Sequence, residues 1–321
     1  MNFGFEIHTV MPYLPLPDNA ARQAIDSAVI FRAWLSAAAE ARRFAGGMYF
    51  KREGDYEYLV KTSPTNRQQR LGRRSPETEA TYLSFTEAKQ AAQKRNKSLG
   101  SALQEAERMN KALKVGRAPN LVVDVLNALE ASGLSPHFTV VGTHALYAYE
   151  AAASVRIEAG AMATQDVDLL WDARERVQFL GTMDKLDSSV LKILQQVDPS
   201  FRRMDTQLES VINDKGFMID FLRRRAVDGD PHPFRSTDDE SDLWPVQAAR
   251  AEAFLNTPRF EQPIVSVTGR MALMRTVAPR VFVDFKYWMP ELDDRPPAKR
   301  RRDRLQAEIV QRLLDEKQLL V

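Results

Sequence analysis

The chain has 321 residues, with 45 Lys and Arg against 43 Asp and Glu and a formal net charge of +2. Hydrophobic residues make up 44% and cysteine is missing, so a core can be buried while disulfide frameworks, thiol nucleophiles, thiolate zinc sites and iron–sulfur clusters are excluded. No apolar run approaches ~18 residues, which excludes a membrane-spanning helix, and the first residues lack the basic and apolar runs of a secretory leader. A soluble, cytoplasmic protein with no membrane partner is the expectation.

Asp18 is placed to cap a helix running through Arg42, with Ala24, Ala28, Phe31 and Leu35 at helical spacing. Gly46-Gly47 ends it, and two short aromatic strands follow at 48–50 and 56–60, turned by Glu53-Gly54-Asp55. The stretch 61–76 is polar and basic and reads as a loop. A second helical region opens at Ser75-Pro76-Glu77, whose acidic first turn suits the helix dipole, and runs, broken near Gly100, to Leu113. Residues 1–115 are therefore expected to be mostly helical. Within 51–118 stand 15 Lys/Arg against 8 Asp/Glu, a local excess of +7. Such a run is the composition of a solvated helix face, and equally of a surface for phosphate-bearing ligands such as RNA.

From residue 116 the texture changes. A helix is predicted over Leu121–Gly133, then a short buried strand at 138–142 between Pro136 and Gly142. The segment Thr143–Val155 is small and apolar all round and reads as a helix packed on several sides. DVDLLW (166–171) is strand-like, 186–197 is an amphipathic helix, and 209–222 is a hairpin turning at Asn213–Gly216. This alternation predicts an α+β core with a mixed sheet over 116–230. The polar segment 226–244 reads as a loop. Over 231–321 a C-terminal region follows, with a hairpin at 263–274, a helix opened by Pro279 and a last helix opened by Pro296-Pro297.

Three carboxylates interrupt apolar strands. Asp166 and Asp168 are two residues apart, so a strand puts both on one face. Asp220 sits alone in FMIDFL. Buried like charges held together favour a divalent cation, and hard oxygen ligands suit Mg²⁺ or Mn²⁺. The Asp-x-Asp spacing alone equally describes a solvent-facing pair, with Val167, Leu169, Ile219 and Phe221 turned to the core. Against a plainly solvated face, Leu170, Met218 and Leu222 share the aspartates' side. Gly142-Thr143, at a strand-to-helix turn, suits phosphate, though Thr143 is also placed to cap its own helix. His8, His137, His144 and His232 show no metal-ligand spacing, and no Walker loop or dinucleotide fingerprint is present.

VVGTHALYAYEAAASV followed by ATQDVDLLWD resembles the nucleotidyltransferase superfamily typified by DNA polymerase β. Within it the chain resembles the bacterial nucleotidyltransferase fold protein family, a likeness extending to LGRRSPETEA, APRVFVDFKYW and KRRRDRLQAEIV. The resemblance implies a polymerase β-like core with helical N- and C-terminal additions. It implies that Gly142 and Thr143 hold nucleotide phosphates and that Asp166 and Asp168 bind metal. Asp220 becomes the candidate third carboxylate, with Asp205 and Asp214 competing. Lys286 is implied in neutralising triphosphate charge, with Arg302 and Gln306 as further candidates. Thr143 departs from the family's Gly or Ser, keeping a hydroxyl but adding a methyl.

The implied activity is Mg²⁺-dependent transfer of a nucleoside monophosphate from an NTP to a hydroxyl of RNA, protein or a small molecule. Two other readings stay open on the sequence. One is a catalytically silent nucleotide- or RNA-binding module serving as regulator or as a toxin–antitoxin or defence partner. The other is a nucleic-acid-binding protein whose aspartates are structural.

Overall fold

The computed structural model describes residues 11–164, 166–186, 188–226 and 242–319. Most of the loop expected at 226–244 lies outside the described residues, as do His8 and His232. The chain divides into two units, Ile25–Met109 and the remainder.

The chain begins with strand β1 (Tyr13–Pro15) and helix α1 (Asp18–Arg43), the latter close to its predicted bounds. In the Ile25–Met109 unit, β2 (Gly47–Glu53) and β3 (Tyr56–Thr62) form the expected aromatic hairpin. A third strand, β4 (Gln68–Arg73), pairs antiparallel with β3 where the polar sequence predicts only a loop. Nothing in QQRLGR alternates apolar and polar residues. Ladder bonds to β3 hold the strand, together with Arg70 and Arg73 stacked 4.1 Å from the rings of Tyr58 and Tyr56. The inner face of this sheet packs Phe50 on Tyr82. Helix α2 (Pro76–Ala112) is continuous over 37 residues, without the expected break at Gly100. A Cβ on Gly100 would stand 3.8 Å from Nε1 of Trp34. Close approach of the indole to the helix backbone there offsets the ~1 kcal/mol that glycine costs a helix interior.

The second unit contains α3 (Asn120–Ala131), β5 (Phe138–Val141), a 3₁₀ turn at Gly142–Ala145, α4 (Leu146–Ala153), β6 (Val155–Ile157) and α5 (Ala159–Met162). Then come β7 (Asp166–Trp171), α6 (Arg176–Leu186), α7 (Val190–Val197), β8 (Arg202–Arg203), β9 (Ser210–Ile212) and β10 (Met218–Arg223). It closes with β11 (Val246–Gln247), α8 (Ala251–Leu255), β12 (Phe260–Val265), β13 (Met271–Thr276), α9 (Pro279–Trp288) and α10 (Pro297–Asp315). The single helix expected at 186–197 is instead two. Ser189 accepts a bond from the Lys192 amide and starts α7 there. Helix α6, whose polar and apolar residues show little periodicity, precedes it.

Eight of these strands form one mixed sheet in the order β12-β13-β5-β7-β10-β9-β8, with β11 beside β10. Helices cover both faces. Val167, Leu169, Trp171, Ile219 and Phe221 enter one core with Val122, Val125 and Leu129 of α3 and Ile193 of α7. Leu170 enters the other with Leu146 and Tyr149 of α4, Phe282 of α9, and Ile309 and Val310 of α10. Strand β1 pairs antiparallel with β6. Buried Glu150 binds Arg117, Arg156 and the Ile157 amide, so its charge is fully partnered. No helix among the described residues is long and apolar enough to cross a membrane.

Candidate active site

Strands β7 and β10 run parallel with Asp168 directly opposite Asp220 and Asp166 opposite Met218. Adjacent strands lie ~4.8 Å apart, so the register brings Asp220 beside the Asp-x-Asp pair. Pleating puts all three on the face that Leu170 shares, which the second core covers. The aspartates are half-buried at the edge of that core, a position between the solvated and fully enclosed alternatives. Asp205 is exposed, and Asp214 is exposed and pairs with Arg202 at 3.0 Å, so neither joins this face.

Strand β5 lies antiparallel on the other side of β7, and Val141 is the partner of Asp168. The chain then turns at Gly142, whose φ is +68°, and a Cβ there would stand 2.2 Å from Oδ2 of Asp168. Only a bare Cα lets the turn approach this carboxylate. Burial pushes the Asp168 carboxyl up to about 7, reinforced by the charges of Asp166 and Asp220 and opposed by Lys286 and Lys299. Burial also raises Asp220, helped by Asp166 and Glu209 and opposed by a hydrogen bond from Ser210 and the charge of Lys299. Ser210 Oγ donates to Oδ1 of Asp220 at 2.6 Å, and Thr164 donates its hydroxyl to Oδ1 of Asp166.

Thr143 is buried, and no side-chain cap bond is made at the start of this turn or of α4. Its hydroxyl instead accepts a 3.1 Å bond from Nε2 of Gln306, which also donates to the Ala161 carbonyl at 2.6 Å. Gln306, on α10, thus fixes the turn to the last helix. His144 is a packed residue between Tyr147 and Phe217. Burial pushes its imidazole down to about 4, against the charge of Asp166 and a hydrogen bond to the Asp166 backbone.

Lys286 is buried on α9 and gives its ammonium to Oδ1 of Asp303 at 2.8 Å. Arg295 holds the other oxygen at 2.6 Å. Burial lowers the Lys286 pKa, with Asp303 opposing. Its charge reaches Asp168, but its hydrogen bond is committed to Asp303. Lys299, exposed in the first turn of α10, acts electrostatically on both Asp168 and Asp220. Arg302 donates to the Ala163 carbonyl at 2.6 Å, just before β7. Sequence reasoning did not single out Thr164, Ser210, Asp303 or Lys299. Thr164 lies two residues before Asp166, and Lys299 opens the KRRRDR run, so local signals existed for both.

Among the described residues no three His, Asp or Glu side chains converge closely enough to hold a metal ion as they stand. Two of the three carboxylates are instead engaged by Thr164 and Ser210. The donor chemistry nevertheless fits a hard divalent cation: all three groups are oxygen donors, and burial and mutual repulsion raise two of them. A cation would relieve that repulsion. No curated protein and no solved structure matches the chain significantly. A family described as nucleotidyltransferase matches residues 120–320, the span that holds the mixed sheet, the Gly142 turn and all three aspartates, and the chain belongs to that family.

Proposed function

We propose that the protein transfers a nucleoside monophosphate from an NTP to an acceptor hydroxyl, releasing pyrophosphate, with Mg²⁺ or Mn²⁺ as cofactor. One observation carries this reading: Asp220 stands in register with Asp168 while the Gly142 turn presses on the same carboxylate. Asp166 and Asp168 would hold the metal, with Asp220 completing the set. A bound divalent cation supplies charge neutralisation at the triphosphate and favours ionisation of the attacking hydroxyl.

The Gly142–Thr143 turn receives the phosphates, because the first N–H groups of a helical turn lack intrahelical partners and its dipole favours anions. Gln306 keeps that turn in place through Thr143. Lys299 is the exposed cation available to the triphosphate, while buried Lys286 moderates the charge of Asp168. Oδ2 of Asp220, the oxygen not engaged by Ser210, accepts the acceptor's proton. The freed hydroxyl oxygen bonds the α-phosphorus, the bond from α-phosphorus to the bridging oxygen breaks, and pyrophosphate leaves with the electron pair. Among acceptors, the basic residues of 51–118 and KRRRDR at 299–304 favour RNA over protein or a small molecule.

The test is incubation with each α-labelled NTP, Mg²⁺ or Mn²⁺, and total RNA. Label should enter the RNA and vanish in Asp166→Asn, Asp168→Asn and Asp220→Asn. Transfer that survives all three substitutions would remove the aspartates from the chemistry. NTP binding without transfer to any acceptor would favour the silent-module reading.

A further inference from the structure

The outer face of the β2-β3-β4 sheet serves no part of the proposed chemistry. The registers put Tyr49 and Lys51 of β2, Tyr56 and Tyr58 of β3, and Arg70 and Arg73 of β4 on this one face. The opposite face is the one that packs Phe50 on Tyr82. Tyr56 is 52% exposed and Tyr49 is 38% exposed. Large aromatic rings on a solvent-facing sheet bury nothing within their own unit, so they are available to a partner.

Their neighbours are cationic. Arg73 lies 4.1 Å over Tyr56 and 5.9 Å from Tyr58, and Arg70 lies 4.1 Å over Tyr58. Arg70 and Lys51 also pair with Glu53, so part of their charge is spent internally. Arg73 makes no ion pair among the described residues, and its guanidinium is held flat against tyrosine with its donors open. Across 49–74 there are 7 Lys/Arg against 3 Asp/Glu. A hollow beside Tyr56 and Arg73 is also bordered by Asp55 and Glu79. Carboxylates there would repel a phosphate but accept hydrogen bonds from the amino edge of a base.

We infer that this sheet face binds single-stranded RNA, with Tyr56 and Tyr49 stacking unpaired bases and Arg73, Arg70 and Lys51 meeting the phosphates. Exposed rings interleaved with arginines are what an unpaired strand requires. A duplex hides its base faces, and an acidic protein would use the cations but leave the rings idle. The inference deepens the acceptor side of the proposed reaction. It rests on that reading only for the role of the bound RNA.

The test is fluorescence anisotropy of the full chain with a labelled, unstructured single-stranded RNA at low and physiological salt, without NTP or metal. Binding is expected, and Tyr56→Ser should weaken it about tenfold, which Tyr56→Trp restores. Arg70→Gln with Arg73→Gln should weaken it similarly and flatten the salt dependence by about one unit of slope. Lys94→Gln with Lys97→Gln, on exposed positions of α2, should change affinity less than about twofold. Circular dichroism checks that each variant folds, and Tyr56→Trp keeps the ring if Tyr56→Ser does not. Failure to bind single-stranded RNA overturns the inference. So does equal loss in the α2 control, or binding of duplex RNA or polyglutamate as tight as single strands and indifferent to Tyr56→Ser. Asp168→Asn should leave RNA binding unchanged, so this surface and the aspartate site can fail separately.

Discussion

Oδ2 of Asp168 would lie 2.2 Å from a Cβ on Gly142, whose φ of +68° is itself unfavourable for any other residue. The strand-to-helix turn and the central carboxylate are therefore built against each other. Gly142→Ala is expected to cost about 1–3 kcal/mol of stability through backbone strain alone. It should also lower nucleotidyl transfer at least ~100-fold, since an ångström-scale misplacement near reacting groups costs that much. Urea unfolding and label transfer measure the two effects. Wild-type transfer by a folded Gly142→Ala protein would show that the turn does not touch the chemistry.

Ser210 donates its hydroxyl to Asp220 at 2.6 Å and so favours the ionised carboxylate. Removing that bond in Ser210→Ala leaves burial and the charges of Asp166 and Glu209 to raise the carboxyl further. A base that ionises at higher pH loses activity earlier on acidification. The acid limb of the kcat profile should move to higher pH, with kcat near neutrality down about tenfold and KM for NTP nearly unchanged. An unmoved acid limb would place the proton elsewhere.

Asp303 holds Lys286 and Arg295 together in the space between α9 and α10, with no exposure of its own. Asp303→Asn leaves a buried ammonium without a counter-charge and should cost about 3–5 kcal/mol of stability. Lys286→Met should cost less, because Arg295 still partners Asp303. Chemical denaturation of the two variants gives the order directly, and the reverse order would mean that Arg295 alone does not satisfy the carboxylate.

Burial raises the pKa of Asp172, but hydrogen bonds from Arg174 and the charges of Arg174 and Arg259 more than reverse this, and the folded value is lowered. A carboxyl depressed by folding stabilises above its unfolded pKa of about 3.9 and loses that contribution as pH falls through the folded value. The stability gap between wild type and Asp172→Asn should therefore be constant above about pH 5 and shrink below about pH 4. Thermal melts across this range check it; a gap that widens in acid would contradict the sign.

Much of the core was legible because its strands advertise themselves. FTVV and DVDLLW are short apolar runs bounded by Pro, Gly or polar residues, and NDKG marks the turn of the β9–β10 hairpin. Strand β4 was hidden because QQRLGR has the composition of a loop and is held by its partner strand and by arginine–tyrosine stacks. Helix α6 was hidden because RVQFLGTMDKL carries no clear apolar stripe. At the site, the spacing of Asp166 and Asp168 fixed their shared face, but the placement of Asp220 beside Asp168 depends on a distant strand returning in one register among several. The partners Thr164, Ser210 and Asp303 are ordinary polar residues in sequence. Only the fold reveals that each of them fixes a charged group.

The central claim is that this site moves the α-phosphoryl group of an NTP together with its nucleoside. Parallel reactions with α-labelled and γ-labelled NTP, each with Mg²⁺ and acceptor RNA, decide it most directly. The account predicts α-label on the acceptor and γ-label in released pyrophosphate, both lost in Asp168→Asn. Transfer of γ-label to the acceptor, or α-label transfer undiminished in Asp168→Asn, would contradict it.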